Sequence, residues 1–322
     1  MLLVLEKDGN SLAIVDPASL KVLARVPAGE NPHEIVASPD GKLAYISNYG
    51  GSDSTLNTVS VVDIAARKAL PAINLGALRS PHGLFFAGGK LYFTAETSKV
   101  LGRYDPVTQS IDLVLGTGQD RTHMIVVSAN QDRIFTSNVS SGTISFIEQV
   151  TPPAGPMPPP PGGPRKTWRV TNLPAGRGAE GFDVSPDGKE LWAASAQDNS
   201  VTIIDVATEK PLQTFPISVK GANRLKFTPD GKQVLISGLG SFSGPETANL
   251  VVVDVATRKE TKQFNLGGGS AGILIIPDGS LAYVAVSAKD KVAVVNLKSL
   301  EVVAQIPTGR QPDGLAWSQP HQ

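Results

Sequence analysis

A four-residue pattern, Ser or Thr followed by Pro-Asp-Gly, occurs three times in this chain and marks an internal repeat. The copies lie at 38–41, 185–188 and 228–231. Proline presets the backbone for the second position of a turn and glycine supplies a positive φ near its end, so each copy predicts a tight hairpin between two strands. A chain that repeats one hairpin in this way is expected to fold into equivalent units.

One position of the repeat, which we call the column, is occupied mostly by ionisable side chains. Five residues before the three turn motifs stand His33, Glu180 and Asn223. Degenerate copies of the repeat place four more residues in this column, namely His82, His123, Ala271 and Asp313. Three of the four histidines of the chain therefore occupy the same place in the repeat.

The spacing of the repeat predicts the blades of a β-propeller. Successive column positions are 41 to 57 residues apart, a length typical of propeller units that contain several short strands. Each unit has four apolar runs, which in the fourth unit lie at 181–185, 190–195, 200–206 and 211–217. Helical periodicity is absent over any useful length.

The last repeat is split between the two ends of the chain. Seven first strands can be counted, and the seventh, at 313–317, has no further strand after it. The start of the chain supplies the missing three strands, at 2–6, 11–16 and 22–27. Such a blade closes the ring and removes open sheet edges, which argues against an open β-solenoid.

We therefore predict an all-β fold in which residues 1–322 form a single seven-bladed β-propeller. Its blades are four-stranded and antiparallel, and both chain termini build the last blade. A proline-rich segment at 152–164 is predicted to be a loop insertion between the third and fourth strands of the third blade.

Composition excludes several classes of function. The chain has 29 basic and 29 acidic residues, so neither nucleic acid nor an anionic membrane surface is an expected partner. Because there is no cysteine, disulfides, thiolate metal sites and cysteine nucleophiles are ruled out. No apolar run reaches the 18 residues or more that a membrane-spanning helix needs.

The absence of cysteine also fits an oxidising compartment. We expect a periplasmic or secreted protein from which a signal peptide has been removed. A cytoplasmic location is the alternative, because Met1 leads directly into an apolar strand. A closed propeller has no exposed repeat edge that demands a partner, so we expect a monomer, with surface loops available for protein partners.

Three segments carry a resemblance to a known family. They are Ser-Pro-Asp-Gly-Lys-Leu-Ala-Tyr-Ile-Ser-Asn at 38–48, Asn-Thr-Val-Ser-Val-Val-Asp at 57–63 and Ile-Phe-Thr-Ser-Asn at 134–138. Together they resemble the YVTN-type seven-bladed β-propellers, and the resemblance covers essentially the whole chain. More distantly, the layout is similar to propeller lactonases and streptogramin lyases. The resemblance implies His, Glu and Arg groups at the channel mouth, and no catalytic motif of those enzymes is carried over residue by residue.

Closing the ring brings the column residues of neighbouring blades together. Imidazole suits first-row transition metals, and three histidines with one carboxylate would leave positions open for water or substrate. We therefore predict a divalent transition metal (Zn, Mn, Fe, Ni or Cu). Its predicted ligands are His33, His82, His123 and Glu180.

Three residues are candidates for catalysis. Glu180 is predicted to be the fourth ligand or a general base. Asp313 flanks the histidines and could orient a ring nitrogen or act as a base. Arg224, one residue past the column, could steady an anionic group.

Two further carboxylates lie near this arc in the predicted ring. Glu34 follows the column in the first repeat, and Arg224 across the channel is its candidate partner. Glu96 ends a second strand near the same face and is a candidate to line the pocket, as are Asn48 and Asn138. Capping or turn roles are the alternative for these three.

The predicted site favours a metal-dependent hydrolase or lyase that acts on a lactone, an ester or a related small molecule at the channel mouth. A bound metal lowers the pKa of its water and polarises a carbonyl or phosphoryl oxygen. A redox metal centre that acts on oxygen is one alternative. Another is a non-catalytic binding or surface-layer type of propeller, in which the histidines only bind channel water and backbone.

Overall fold

The computed structural model describes residues 1–51, 56–152, 166–240 and 248–319. These residues form seven four-stranded sheets in which neighbouring strands are antiparallel. The described part of the chain has one short 3-10 turn, Ser287–Lys289, and no helix with the length and hydropathy needed to cross a membrane.

We number the blades 1 to 7 from the sheet that begins at Pro32, and in each blade we number the strands from the channel outwards. The first strands are Pro32–Ala37, Pro81–Ala87, Thr122–Val127, Ala179–Val184, Ala222–Phe227, Ile273–Ile275 and Pro312–Trp317. The second strands are Leu43–Asn48, Lys90–Ala95, Arg133–Asn138, Glu190–Ser195, Gln233–Gly238, Leu281–Val286 and Leu2–Glu6. The third strands are Thr58–Asp63, Val100–Asp105, Thr143–Val150, Ser200–Asp205, Leu250–Asp254, Lys291–Asn296 and Ser11–Asp16. The fourth strands are Lys68–Asn74, Ser110–Gly116, Thr167–Pro174, Lys210–Pro216, Lys259–Phe264, Glu301–Pro307 and Lys21–Pro27.

The seven blades form a closed ring. Each first strand contacts the first strands of both neighbouring blades, including the pair formed by blades 7 and 1. In blade 7 the strand Leu2–Glu6 pairs with Pro312–Trp317, and the Met1 ammonium donates a hydrogen bond of 2.6 Å to the Ser318 carbonyl. The predicted all-β, seven-bladed fold with one blade built from both termini is therefore confirmed.

The hydrophobic core lies between adjacent blades. Second and third strands are buried on both faces, whereas fourth strands keep one face in solvent. Trp192 of blade 4 packs edge-on against Phe227 of blade 5 at a ring-centroid distance of 5.5 Å. Each large side chain buried in this way contributes about 1.5–3 kcal/mol to folding.

The predicted proline-rich insertion at 152–164 lies outside the described residues except for Pro152. The strands on either side of it are the third and fourth of blade 3, with Val150 opposite Thr167. The chain thus leaves and re-enters the same sheet at the place that the sequence indicated.

The Pro-Asp-Gly turns are held by the hydrogen bonds that their residue types predict. In blade 4, Asp187 Oδ1 accepts from Ser185 Oγ at 2.7 Å and from the Lys189 amide at 3.1 Å. Gly188 has a φ of 71°, in the left-handed region that favours glycine. These contacts, the Ser185 hydrogen bond first, lower the pKa of the Asp187 carboxyl.

Four glycines allow the first strands to approach one another closely. Each directly follows a column residue, and each faces the backbone of the next blade at the equivalent height. A Cβ atom at Gly181 would lie 2.6 Å from the Asn223 carbonyl oxygen, and one at Gly83 would lie 2.5 Å from that of His123. Equivalent contacts face Gly272 and Gly314. The narrow centre of the ring, and with it the spacing of the column residues, therefore depends on these glycines.

We expect Gly181→Ala to lower the free energy of unfolding by about 1–3 kcal/mol, because its methyl group would press on the backbone of blade 5. Denaturation in urea would measure the loss. Gly116→Ala is the matched control, since a Cβ there meets nothing within 4 Å. Equal stability of the two variants would contradict this account of the ring centre.

Candidate metal centre at the channel mouth

All seven column residues line one cavity at the mouth of the channel. Its volume is about 320 Å³, and its walls also include Lys7, Tyr49, Arg121 and Arg224. The first strands begin at this end of the channel, so the column is the first inward-facing layer of each blade. The ring therefore brings together the residues that the repeat aligned in sequence.

The three histidines form a row across blades 1, 2 and 3. The ring centroids of His33 and His82 are 4.8 Å apart, and those of His82 and His123 are 3.7 Å apart. Tyr49 lies against the outer end of the row, 4.7 Å from the His33 ring. His82 and His123 are both buried.

His123 lies between two carboxylates. Its Nδ1–H donates a short hydrogen bond to Glu96 Oε1. Its other ring nitrogen, Nε2, lies 3.3 Å from Glu180 Oε1, although the angles there do not form a good hydrogen bond. Burial alone would lower the pKa of His123, but the contacts with Glu180 and Glu96 outweigh it and raise that pKa.

Glu96 is fixed by three neighbours. Besides His123, the Tyr49 hydroxyl donates to its Oε2 at 2.6 Å, and Arg121 Nε lies 3.5 Å from the same atom. Burial alone would raise the pKa of Glu96. The hydrogen bonds from His123 and Tyr49 outweigh burial and lower that pKa to about 2. Glu96 is therefore an ionised carboxylate in a buried position.

The other two histidines are held neutral. Burial lowers the pKa of His33 to about 4, and burial together with the neighbouring His123 charge lowers the pKa of His82 well below its usual range. His33 Nδ1 contacts the Asn31 carbonyl at 2.9 Å, whereas His82 Nδ1 is buried without a hydrogen-bond partner. Neutral imidazole is the form that binds a metal, so a metal at His123 would have to displace the proton that Glu180 and Glu96 stabilise on that ring.

A buried group of donors at this site could hold a metal ion. His82, Glu96 and His123 each offer one ligand atom, and the three atoms lie within 4.8 Å of one another. Two of these residues, His82 and His123, belong to the ligand set predicted from the sequence. Of the other two predicted ligands, Glu180 approaches His123 and His33 contacts the ring of His82.

Glu96 was expected only to line the pocket, with a capping or turn role as the alternative, and its contact with His123 was not predicted. It stands outside the histidine column, directly after the second strand of blade 2. The equivalent position in other blades holds Lys7, Tyr49, Leu239 and Ser287, all of which line the cavity. A second column, one residue past each second strand, is the signal that would have identified it.

Hydroxyl groups of the second strands hold the backbone of the column residues. Thr94 Oγ1 of blade 2 donates to the His123 carbonyl at 2.5 Å. Ser137 Oγ of blade 3 donates to the Glu180 carbonyl at 2.7 Å. The position of each of these site residues is therefore fixed by the preceding blade as well as by its own strand.

An ion pair crosses the channel below the cavity. Arg224 Nε of blade 5 donates to Glu34 Oε1 of blade 1 at 3.0 Å, as the sequence suggested. Arg224 lines both the mouth cavity and a second cavity of about 470 Å³ on the other side, which Glu34 also lines. Burial raises the pKa of the Glu34 carboxyl, and the Arg224 charge opposes that rise.

Arg224 also supports the floor of the mouth cavity. Its Nη1 donates to the Asn223 side-chain oxygen at 3.0 Å and lies 3.7 Å from Glu180 Oε1. The Asn223 amide in turn donates to Glu180 Oε1 at 2.6 Å. Burial raises the pKa of Glu180, but the contact with His123 and the charge of Arg224 lower it overall, which favours its ionised form.

Asp313 lies on the blade 7 side of the cavity. Its Oδ2 pairs with Lys7 Nζ at 3.1 Å. Its Oδ1 is buried and has no hydrogen-bond partner. Burial raises the pKa of Asp313, but the charges of Lys7 and Arg224 reverse this and lower it.

Comparison with known proteins supports the fold. No protein-family model matches the chain, and no curated protein matches it by sequence. Among solved structures, hydrazine synthase of Kuenenia stuttgartiensis is 20% identical, with a TM-score of 0.71 over 89% of each chain. A functionally unknown protein from Desulfotomaculum acetoxidans DSM 771 is 12% identical, with a TM-score of 0.77 over 99% of each chain.

A third similar structure is the dihydro-heme d1 dehydrogenase NirN in complex with DHE. It is 16% identical, with a TM-score of 0.65 over 98% of this chain and 74% of NirN. At such low identities the likeness shows the fold alone. The comparisons and the structure together confirm the propeller that the repeat predicted.

The cross-channel ion pair gives a stability prediction. Arg224→Met leaves the Glu34 carboxylate buried without its partner, and we expect the free energy of unfolding to fall by about 3–5 kcal/mol. The double variant Arg224→Met/Glu34→Met removes both charges and should recover most of that loss. Urea denaturation of the three proteins measures the difference, and a double variant no more stable than the single one would contradict the pairing.

Proposed function

We propose that this protein is a metal-dependent hydrolase or lyase that acts on a lactone, an ester or a related small molecule in the mouth cavity. The observation that carries the proposal is the pair of buried histidines beside ionised carboxylates. One ring nitrogen of each, His82 Nδ1 and His123 Nε2, lacks a hydrogen-bond partner, and both histidines line a cavity large enough for a small ligand. A buried nitrogen without a partner is costly unless something binds to it.

The distances favour His123 and Glu180 as neighbouring ligands. Zinc bonds of about 2.0–2.1 Å in a tetrahedral site separate two ligand atoms by roughly 3.3 Å. The separation of His123 Nε2 and Glu180 Oε1 is 3.3 Å. His82 would add a third ligand from the adjacent blade. An open position would remain for water or substrate.

Glu96 has a different part in this arrangement. A metal-binding histidine commonly donates its other ring N–H to a carboxylate, which fixes the orientation of the ring and raises its basicity. The hydrogen bond from His123 Nδ1 to Glu96 has this form, and Tyr49 holds the carboxylate from the other side. We propose that Glu96 orients His123, with direct ligation by Glu96 as the alternative that the same cluster permits.

A bound metal and the protein's own residues would contribute different parts of the catalysis. A bound divalent metal would polarise the carbonyl oxygen of the substrate and lower the pKa of a bound water. Hydrolysis would join the water oxygen to the carbonyl carbon and break the bond from that carbon to the alkoxy oxygen, which would take up the proton that the water loses. The Arg224 guanidinium lines the mouth cavity and lies 3.7 Å from Glu180, so an oxyanion that formed near this wall would be stabilised by its positive charge.

The shape of the cavity limits the substrate to a small molecule. Its volume of about 320 Å³ is at the lower end of the range for ligand pockets. Leu239, Ala271 and Ala288 form an apolar wall on the side of blades 5 and 6. Hydrazine synthase and NirN are enzymes by their names, so catalysis is compatible with this fold.

Metal analysis of the purified, untagged protein tests the proposal. We expect near-stoichiometric Zn, Mn, Fe, Ni or Cu in the wild type, and loss of that metal in His82→Ala and in His123→Ala. Glu96→Gln should keep the site but weaken metal affinity by about 10- to 100-fold, because only the orientation of His123 is disturbed. Inductively coupled plasma mass spectrometry and a competition titration measure these effects.

Asp120→Asn is the control variant. It removes the carboxylate of an exposed ion pair with Lys99 and should keep the full metal content. If the wild type holds no metal even after incubation with each of the five ions, the proposal is wrong and a binding propeller becomes the better account. If metal is bound, a panel of lactones, esters and phosphotriesters identifies the reaction.

A further inference from the structure

The Asp313 carboxylate has one oxygen that nothing in the described part of the protein satisfies. The residue is only 4% exposed, and its Oδ1 is buried and has no hydrogen-bond partner. Asp313 lines the mouth cavity together with the three histidines. A buried acceptor on a cavity wall is costly when it is empty, so it points to a ligand that carries a hydrogen-bond donor.

Lys7 fixes the orientation of this carboxylate. Its ammonium group binds Oδ2 at 3.1 Å and is itself 28% exposed at the cavity wall. Because Lys7 occupies one oxygen, Oδ1 is the atom left for a ligand. Lys7 is thus a positioning residue for Asp313.

The charges nearby decide which kind of donor fits. Lys7 and Arg224 both act on Asp313 strongly enough to keep it ionised despite its burial. The Lys7 ammonium already neutralises this carboxylate, so an ammonium group of the ligand that approached Oδ1 would be repelled by Lys7. A neutral hydroxyl group can donate to Oδ1 without that repulsion.

The position of Asp313 relative to the metal cluster sets the distance that the ligand must span. Around the ring, blade 7 is next to blade 1, and His33 of blade 1 separates Asp313 from His82 of blade 2. A molecule that reaches the cluster with one group and Asp313 with another therefore passes over His33. Both groups must lie within one small molecule, given the cavity volume of about 320 Å³.

We propose that the substrate of this site is hydroxylated, and that Asp313 Oδ1 accepts a hydrogen bond from its hydroxyl group while the reacting carbonyl lies at the His82–His123 cluster. This inference rests on the proposed function and adds the substrate class to it. Asp313 is then a specificity-determining residue: it selects hydroxylated compounds over those that lack the hydroxyl.

The substitution Asp313→Asn provides a sharp test because Lys7 dictates the orientation of the amide. The amide oxygen will turn towards the Lys7 ammonium group, and the NH₂ group will then take the place of Oδ1. An acceptor towards the ligand becomes a donor with almost no change of shape. A ligand hydroxyl loses its acceptor, whereas a ligand without the hydroxyl has no such hydrogen bond to lose.

The experiment compares γ-(3-hydroxypropyl)-γ-butyrolactone with γ-propyl-γ-butyrolactone on the intact protein, because the hydroxyl of the first is far enough from the lactone carbonyl to reach past the His33 ring. Binding is measured by saturation-transfer NMR with and without metal, and hydrolysis is measured on the metal-loaded protein. We expect the wild type to favour the hydroxylated lactone by about 10- to 100-fold, the range for one buried hydrogen bond to a charged group. Asp313→Asn should abolish that preference and keep the metal content, and Asp120→Asn should change neither.

The outcomes separate this inference from the proposed function. Equal binding of the two lactones by the wild type, a preference that survives in Asp313→Asn, or binding of neither lactone would each overturn the inference while leaving the metal site standing. A preference seen by NMR in a protein that binds no metal would support the role of Asp313 and refute the metal-dependent reaction.

Discussion

The close approach of the seven first strands is the constraint on which the rest of this structure depends. Glycines after the column residues of blades 2, 4, 6 and 7 let the backbone of each strand meet a carbonyl of the next blade. One of these glycines, Gly83, lies beside the contact between His82 and His123, because a Cβ atom there would meet the His123 carbonyl. The spacing of the site residues therefore depends on backbone packing at the centre of the ring as well as on their side chains.

Most of the fold was predictable because it is repeated. The Pro-Asp-Gly turns and the recurring apolar runs identify the blades. The apolar strand at Leu2–Glu6 completes the last of them by pairing with Pro312–Trp317. The strand bounds differ from those expected by about one residue, for example in the fourth strand of blade 4, which runs over Lys210–Pro216. Such small shifts reflect local turn geometry, which the hydrophobic pattern does not encode.

The site was predictable in part. The column placed His33, His82, His123, Glu180 and Asp313 around one cavity because the repeat fixes their height and the ring fixes their order. The contacts of Glu96 with His123 and of Lys7 with Asp313 were not predicted, because both residues lie one position past a second strand and therefore outside the column of first-strand residues that the repeat aligned. The pairing of Arg224 with Glu34 was suggested, yet its consequence for the channel depends on side-chain length and rotamer, which only the structure shows.

The Arg224–Glu34 ion pair lies across the channel between the mouth cavity and the second cavity. Arg224 belongs to the wall of both, and its guanidinium bridges from blade 5 to blade 1. While this ion pair is formed, it would obstruct passage from one cavity to the other. A molecule in the mouth cavity would then leave by the opening through which it entered, and the product would have to depart before the next substrate could bind.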